Sequence, residues 1–283
     1  MPSSSNPALT AATLFLLLAQ VVVHGQYYNV SVREWDRDFK KSKWSFIDKV
    51  AVERGRNSLI TNIFYSLYGG GSGPKLSKLL DVGCGEGVLS DFMVGPQRQQ
   101  YFGIDVSSEA IKTARKRRSQ AGPSSPADAY FISPHQFQVG TAMEYTPPAG
   151  VTFGAIVFNE MLYYTDFSQV IPRFIQFLDP PAPASPATAA SAAVQDRREK
   201  GTPASAAGTD AGVAGGQGGV IIISVWYSED PSVIKMKDDI FAVAKLHLEE
   251  VDCMDLTGVS RNGAGLNAVK RKVAFHVCAF RRR

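Results

Sequence analysis

The stretch LLDVGCGEG, residues 79–87, decides the fold of this chain of 283 residues. Its apolar start predicts a short buried strand, and Gly83, Gly85 and Gly87 then predict a turn. Apolar residues at helical spacing follow from Val88 and predict a helix directly after the turn. Glycine is needed where the backbone takes a positive φ or lies against a ligand, and the N–H groups at a helix start favour a polar or anionic ligand group. The stretch therefore indicates a strand, a turn and a helix start that together hold a ligand.

One kind of ligand site with such a turn binds dinucleotides. Its fingerprint is G-x-G-x-x-G, in which the third glycine allows close packing of the helix on the strand. Counted from Gly83 and Gly85, the third glycine position is occupied by Val88. The spacing therefore disfavours a dehydrogenase.

The spacing from Asp81 to Gly87 is D-x-G-x-G-x-G, and it resembles the first motif of the class I S-adenosylmethionine-dependent methyltransferases. A second predicted strand, YFGID, ends in Asp105, 18 residues beyond Gly87. In dinucleotide sites an acid at such a place holds the ribose hydroxyls, and the resemblance implies the same role for Asp105. The resemblance covers the chain from about residue 27 to the C-terminus, apart from one insertion.

The resemblance implies an α/β fold, a three-layer α/β/α sandwich with a seven-stranded, mostly parallel sheet and an antiparallel C-terminal hairpin. A composition that is 45% hydrophobic and 20% charged suits one such core. We predict N-terminal cap helices over 26–73 and the methyltransferase core over 74–283. An insertion rich in Ala, Pro and Gly interrupts the core at 180–219, and we expect it to be disordered because it offers almost no large apolar side chain for burial.

Residues 1–25 are predicted to be a signal peptide or a hydrophobic anchor. The apolar run over 12–23 is short for a membrane span and fits the apolar region of a signal peptide, although no Lys or Arg precedes it. A mis-assigned start codon or a poorly structured tail is the alternative. We therefore expect the secretory pathway or a membrane-associated location if this segment acts as a signal, and the cytoplasm otherwise. Membrane contact is expected only through this segment.

The charge and the cysteines exclude two further classes of function. The net charge of +4 is small and forms no basic stripe, so no nucleic-acid partner is expected. Cys84, Cys253 and Cys278 share no CxxC spacing and indicate neither a zinc site nor an obvious disulfide framework. We expect no metal.

The cofactor implied by the resemblance is S-adenosyl-L-methionine. In the family an Asp that contacts adenine often follows the third strand, but Thr141 stands at that position here. Its hydroxyl can still bond the ring edge, helped by the backbone N–H groups of Ala142 and Met143. The predicted cofactor-binding residues are Asp81, Gly83, Gly85, Gly87, Asp105, Val106, Thr141, Ala142, Met143 and Asn159.

The acceptor is expected beyond the fourth strand, TFGAIVF at 152–158, because open α/β sheets bind ligands at the carboxyl ends of their strands. Glu160 follows this strand and is the predicted catalytic proton acceptor. In the alternative, Glu160 caps the next helix and the neighbouring tyrosines are core residues. The predicted substrate-binding residues are Tyr27, Tyr28, Trp35, Tyr163, Tyr164 and Trp226, of which the first three would form a lid and Trp226 could instead anchor a helix.

The resulting hypothesis is direct displacement of the cofactor's methyl group by a small-molecule or short-peptide acceptor. The lack of a compelling base, together with a general similarity to small N-methyltransferases, favours an amine nitrogen, in a secondary metabolite or a modified peptide. The alternatives are an O-methyltransferase of a small hydroxylated acceptor and a non-catalytic nucleotide- or dinucleotide-binding module. The sequence leaves the oligomeric state open.

Overall fold

The computed structural model describes residues 27–68, 77–120, 130, 132–181, 218–262 and 269–283. The predicted signal segment and almost all of the predicted insertion lie outside the described residues, so both stay predictions. Within these ranges no helix is both long enough and apolar enough to cross a membrane.

A seven-stranded mixed sheet forms the centre of the fold. Its order is β3-β2-β1-β4-β5-β7-β6, in which β1 to β5 run parallel and β7 is antiparallel to both β5 and β6. The strands are β1 (Leu79–Val82), β2 (Tyr101–Asp105), β3 (Phe137–Val139), β4 (Ala155–Asn159), β5 (Val220–Tyr227), β6 (Leu248–Asn262) and β7 (Val269–Arg282). The predicted parallel sheet with an antiparallel C-terminal hairpin is confirmed.

Five α-helices accompany this sheet in the described residues. They are α1 (Val32–Lys40), α2 (Ala51–Tyr68), α3 (Ser108–Gln120), α4 (Phe167–Ile175) and α5 (Pro231–His247). The apolar faces of α2 and α3 bury Ile60, Phe64 and Ile111 on one side of the sheet, whereas α4 and α5 bury Val170 and Ile240 on the other. Burial on both faces explains why the central strands are continuous apolar runs.

The chain order places a crevice at the carboxyl end of β1. From β1 the chain passes to β2 and β3 on one side and later to β4 and β5 on the other. At such a switch point the loops that leave neighbouring strands diverge, and open α/β sheets bind their ligands there. The glycine turn follows β1 directly and so lies in this crevice.

The predicted α-helix after the glycine turn is absent from the structure. The turn leads instead into a 3-10 helix, Val88–Phe92, and after a short extended link into a second one, Gly95–Gln100. Gly95 has a φ of +55°, and Pro96 follows it. A left-handed residue followed by proline ends helical hydrogen bonding, because proline has no N–H and restricts the residue before it. The apolar spacing after Val88 therefore reflects burial and not a continuous helix.

Although the cysteine spacing indicates no obvious disulfide framework, Cys253 and Cys278 are bonded. They lie directly opposite one another on the antiparallel strands β6 and β7. Their positions are 25 residues apart in the sequence, and no spacing motif marks them. Only the register of the hairpin brings them together. Cys84 is a free, buried thiol.

Removing this disulfide should lower the free energy of unfolding. We expect the double variant Cys253→Ala/Cys278→Ala to lose about 3 kcal/mol, because the bond restricts the unfolded chain by closing a loop of this length. The measurement is urea unfolding of the oxidised protein, of the same protein with a thiol reductant, and of the double variant. The reduced protein and the variant should unfold at similar, lower urea concentrations. Equal midpoints for all three samples would contradict a stabilising role.

Candidate active site

A cavity of about 720 Å³ opens at the carboxyl ends of the strands. This volume is in the upper part of the range of small-molecule sites, roughly 300–1,000 Å³. Its walls extend from Asp105 and Thr141, at the ends of β2 and β3, to Trp226 and Phe275, on β5 and β7. The ends of β2 and β5 are three strand spacings apart, about 14 Å. The cavity is thus long enough for two ligand parts in series.

The glycine turn forms the floor of this cavity next to β1. The N–H groups of Gly83 and Cys84 donate to the carbonyl of Ile104, at 2.8 and 2.9 Å, and so fix the turn to β2. Gly83 has a φ of +75°, and a Cβ atom added there would lie 2.8 Å from Cβ of Met161. A side chain would therefore be both strained and obstructed. Because Gly83 has no side chain, its backbone itself forms the surface that a ligand would contact.

Asp105 connects the glycine turn to the start of α3. Its Oδ2 accepts a hydrogen bond from the Gly85 N–H, and its Oδ1 accepts one from the Ser107 N–H, both at 2.8 Å. Burial raises the pKa of Asp105 to about 6, against the lowering effect of these two N–H groups. Each oxygen keeps a further lone pair, so the carboxylate can also accept hydrogen bonds from a ligand.

Asp81 lies in the centre of the sheet beneath the turn. Its Oδ2 accepts a hydrogen bond from the Tyr101 hydroxyl, and within the described structure its buried Oδ1 has no partner. Burial raises the pKa of Asp81 to about 7, and the Asp105 carboxylate adds to this effect. A buried, unpartnered carboxylate oxygen that borders a cavity is a position at which a ligand donor is expected.

Helix α1 covers part of the cavity and is anchored by Asp36. The Asp36 Oδ1 accepts hydrogen bonds from the Ser107 hydroxyl at 2.7 Å and from the Glu109 N–H at 3.3 Å, so Asp36 caps the N-terminus of α3. This anchoring holds Trp35 of α1 against Tyr164, with ring centroids 4.9 Å apart in an edge-to-face arrangement. An aromatic wall results, to which Phe39 and Trp44 also belong.

Glu160 follows β4 with a φ of +59°, which is rare for a residue other than glycine. Its Oε1 accepts a hydrogen bond from the Ser224 hydroxyl at 2.8 Å. Its Oε2 accepts from the Trp226 N–H at 2.8 Å and from the Tyr163 hydroxyl at 3.0 Å. Strained backbone of this kind is retained where surrounding contacts enforce it, often at functional sites. Glu160 thus links β4, β5 and the aromatic wall.

Three buried polar residues on α2, Glu53, Arg56 and Asn57, line the cavity although the sequence did not lead us to predict them as site residues. Arg56 pairs with Glu53 at 2.9 Å and lies 3.8 Å from Glu160, and its guanidinium stacks 4.5 Å from the Phe275 ring. Asn57 accepts a hydrogen bond from the Asn159 side chain at 3.0 Å. Burial raises the pKa of Glu53. The signal in the sequence is the run ERGRN, 53–57, in which polar residues interrupt the apolar spacing of the helix.

Most of the predicted site residues line the cavity. These are Asp81, Gly83, Gly85, Asp105, Val106, Thr141, Ala142, Asn159, Glu160, Trp35, Tyr163, Tyr164 and Trp226. Their roles as ligand contacts stay predictions.

Four predicted residues are outside the cavity lining in the structure. A Cβ atom on Gly87 would collide with Phe137, so this glycine serves packing. Met143 is exposed on the surface. Tyr27 and Tyr28 donate their N–H groups to the Tyr163 carbonyl and pack behind the aromatic wall. Contacts of these four residues with a ligand therefore stay predictions.

Comparisons with known proteins agree with this geometry. A family model described as a methyltransferase domain matches residues 79–181, the part from the glycine turn to the end of α4 and just beyond. A curated relative, the ubiquinone biosynthesis O-methyltransferase of Thiobacillus denitrificans (strain ATCC 25259 / T1), is 40% identical over 73 residues, which are 24% of this chain. The chain spans only about a third, 31%, of that relative's length.

Two solved structures of magnesium protoporphyrin IX methyltransferase from Synechocystis PCC 6803 are also similar. The structure with bound S-adenosylhomocysteine gives a TM-score of 0.49 at 12% identity and covers 89% of this chain and 98% of that one. The structure with bound S-adenosylmethionine gives 0.40 at 12% identity and covers 100% of both chains. Both likenesses are remote, and nothing about the acceptor rests on them.

The family model matches the segment that contains the D-x-G-x-G-x-G turn, the acid at the end of β2 and the residues after β4. The strand order and the antiparallel hairpin agree with what that motif implies. Residues 79–181 therefore match a methyltransferase domain, as the resemblance of the glycine turn to the class I S-adenosylmethionine-dependent methyltransferases implies.

Proposed function

We propose that this protein transfers the methyl group of S-adenosyl-L-methionine to an amine nitrogen of a small-molecule or short-peptide acceptor. The observation that carries the proposal is the charge of the cavity wall. Among the described residues that line it, five are acidic, and Arg56 is the one basic residue. The acidic residues are Glu53, Asp81, Glu86, Asp105 and Glu160.

The residues present fit the cofactor. Asp105 has lone pairs for the ribose hydroxyls, and the backbone at Gly83 and Gly85 offers a surface without side chains. The buried oxygens of Asp81 and Asn159 have no hydrogen-bond partner within the described structure, so both can accept from polar ligand groups. An excess of carboxylates favours the positive charge of a sulfonium and an ammonium group.

The bound cofactor supplies an electrophilic methyl group on a positively charged sulfur, so direct displacement needs no metal. What the protein contributes is the position of the nucleophile, and well-oriented reactants reach effective molarities of roughly 10⁵–10⁸ M. An amine must present its lone pair and therefore must first lose a proton. Glu53 suits this step because burial raises its pKa, which makes its carboxylate a better proton acceptor.

The acceptor end of the cavity supports a small amine. Trp226 and Tyr163 provide aromatic rings there, and aromatic faces attract ammonium groups. Glu53 and Glu160 add negative charge beside them. A secondary metabolite or a modified peptide with an amino group would meet both requirements.

Transfer to a hydroxyl oxygen is the second candidate. It is favoured by the similarity to the curated relative, an O-methyltransferase, over a local match of 73 residues. A hydroxyl needs a strong base in the transition state, because its neutral form is a weak nucleophile. Glu160 accepts three hydrogen bonds, and Arg56 lies 3.8 Å from its Oε1, so this carboxylate is held by its contacts and is less suited than Glu53 to accept a proton in this conformation.

The test is transfer of labelled methyl groups from the cofactor by the full-length chain. The acceptors are pairs of arylalkyl amines and arylalkyl alcohols that differ only at the reacting atom, together with short peptides that have free amino groups. We expect label in amines and not in the matched alcohols. Label in the alcohols alone would overturn the amine assignment. Calorimetric titration with S-adenosylhomocysteine separates a missing acceptor from a missing cofactor site, because binding without transfer would leave only the acceptor unidentified.

Cofactor affinity should depend on pH through Asp105. Protonation removes the negative charge of its carboxylate and turns one acceptor oxygen into a donor, and its pKa is raised to about 6. Affinity for S-adenosylhomocysteine should therefore be complete above about pH 7 and fall by about tenfold for each pH unit well below pH 6. The control is Asp105→Asn, which should bind more weakly with a flatter profile. Asp81, whose pKa is about 7, is still present in that variant, so any pH dependence of affinity that comes from Asp81 remains there. Parallel profiles for the two proteins would show that Asp105 is not the titrating group.

The variant Glu160→Gln distinguishes a positioning role from proton transfer. Gln keeps the size of the side chain but places an NH₂ group against donors such as the Trp226 N–H. We expect kcat/KM to fall by about tenfold with an unshifted pH profile, because the contacts and not a titration are disturbed. A fall of about 10²–10⁴-fold with loss of the acidic limb would instead support the predicted proton acceptor. The matched control is Glu53→Gln, for which we expect the change in pH profile.

A further inference from the structure

Four side chains on one face of the β6–β7 hairpin form a cluster outside the cavity described above. Cys253 and Asp255 lie on β6, and His276 and Cys278 lie on β7. The register pairs Cys253 with Cys278 and Asp255 with His276. Residues two apart on a strand, and residues directly opposite on the neighbouring strand, share a face of the sheet. The four side chains therefore occupy two adjacent rows of one face, which we call the hairpin cluster.

A β-bulge brings the hairpin cluster into register. The pairing passes from Glu250 opposite Phe280 to Asp252 opposite Ala279, so one residue of β6 is extra. If the register of Glu250 and Phe280 continued without this shift, Asp252 would lie opposite Cys278, and the cysteine of β6 would point to the other face. Bulges re-aim side chains in this way and often occur at functional sites.

The atoms of the hairpin cluster converge on a single point. His276 Nε2 lies 3.2 Å from the Cys278 sulfur, and the sulfur and nitrogen atoms of Cys253, His276 and Cys278 all lie within 4.8 Å of one another. A tetrahedral zinc ion, with bonds of about 2.3 Å to sulfur and about 2.0 Å to nitrogen, keeps its ligand atoms roughly 3.5–3.8 Å apart. Reduction of the disulfide would let the two sulfur atoms, bonded in this structure, separate to this distance, and the three ligand atoms could then surround one zinc ion.

The second ring nitrogen of His276 is already held as in a metal site. Nδ1 lies 2.8 Å from Asp255 Oδ1, which also accepts a hydrogen bond from the Tyr227 hydroxyl at 3.2 Å. Phe241 packs edge-to-face on the imidazole at 4.8 Å and restricts its rotation. Histidines that bind metals usually donate their other N–H group to a carboxylate, which fixes the ring and directs the free nitrogen at the metal.

We propose that Cys253, His276 and Cys278 bind a zinc ion when the Cys253–Cys278 disulfide is reduced. A dithiol reductant gives two electrons and two protons to the disulfide, forms two cysteine thiols and is itself oxidised to a disulfide. Zinc binding then releases the two thiol protons, so two thiolates neutralise the charge of the ion. Nε2 of His276 is the third ligand, and water is the fourth. The site is closed while the disulfide is present, because a bonded sulfur pair has no thiolate to offer.

The test is zinc retention by the full-length chain in the two redox states. The protein is reduced without metal, supplied with excess Zn²⁺, freed of unbound metal by gel filtration, and assayed for zinc with a colorimetric chelator. We expect about one zinc per reduced chain and less than a tenth of that per oxidised chain. Cobalt in place of zinc should give the visible bands of a tetrahedral site and a thiolate-to-cobalt charge-transfer band. Equal zinc contents in the two states, at any level, would overturn the proposal.

Variants locate the ion. His276→Gln leaves the disulfide intact, so its oxidised form shows whether the variant folds, and its reduced form should lose most of the zinc. Asp255→Asn should weaken zinc binding by about 10–100-fold, as losses of such outer partners do. The matched controls are His247→Gln, an exposed histidine at the end of α5, and Cys84→Ser, the free thiol elsewhere in the fold. Both should retain zinc as the wild type does, and retention by His276→Gln would exclude the hairpin cluster as the site.

Discussion

Asp105→Ala should raise the Kd for S-adenosylhomocysteine by at least about 100-fold. The proposed contacts are hydrogen bonds from the ribose hydroxyls to an ionised carboxylate, and such charged hydrogen bonds contribute about 1.5–3 kcal/mol each. The variant also leaves the N–H groups of Gly85 and Ser107 without their acceptor, which loosens the turn beneath the ligand. A loss of about 3 kcal/mol corresponds to about 100-fold in Kd. Calorimetric titration of both proteins is the measurement.

The control for this prediction is Asp230→Ala. Asp230 is the N-cap residue of α5, where its carboxylate accepts a hydrogen bond from the Ser232 N–H at 2.8 Å. Its removal should cost about 1 kcal/mol of stability, as for other N-caps, without changing the Kd. If both variants weaken binding equally, the effect of Asp105 is a general loss of stability and not a ligand contact.

The second large effect is expected from Gly83→Ala. A left-handed backbone costs a residue with a Cβ atom about 1–2 kcal/mol, and here that atom would also lie 2.8 Å from Cβ of Met161. Because Met161 Cβ is fixed to the backbone, the loop after β4 or the glycine turn itself must move. We expect a loss of about 3 kcal/mol or more in the free energy of unfolding, and no measurable cofactor binding. Urea unfolding and calorimetric titration are the two measurements.

Gly95→Ala separates backbone strain from collision. Gly95 also has a positive φ, +55°, but a Cβ atom there meets nothing within 4 Å. This variant should therefore cost only about 1–2 kcal/mol and should bind the cofactor normally. Equal losses for the two variants would show that the space around Gly83 is unimportant. Normal binding by Gly83→Ala would remove the glycine turn from the proposed site.

The features that the sequence predicts correctly are local, because they are set by residues that lie close together in the chain. The apolar run from Leu79 and the alternate glycines fix a strand and a turn, because strand burial and positive φ are properties of single positions. The acid at the end of β2 is found in the same way. The antiparallel C-terminal hairpin is instead predicted from the family resemblance that these motifs carry. The wrong expectation of an α-helix after Val88 shows the limit, because apolar spacing records burial and Gly95 interrupts the hydrogen bonding.

The sequence by itself determined the sheet, the family motif and the edge at which ligands bind. The tertiary structure alone decided which distant side chains meet there. Arg56 of α2 lies between Glu53 and Glu160 only because α2 packs against β6 and β7, beside the residue that follows β4. Cys253 meets Cys278 only because a bulge shifts the register of β6. Such contacts depend on packing and register. Packing and register result from many weak interactions over the whole chain, so no short stretch of sequence reveals these contacts.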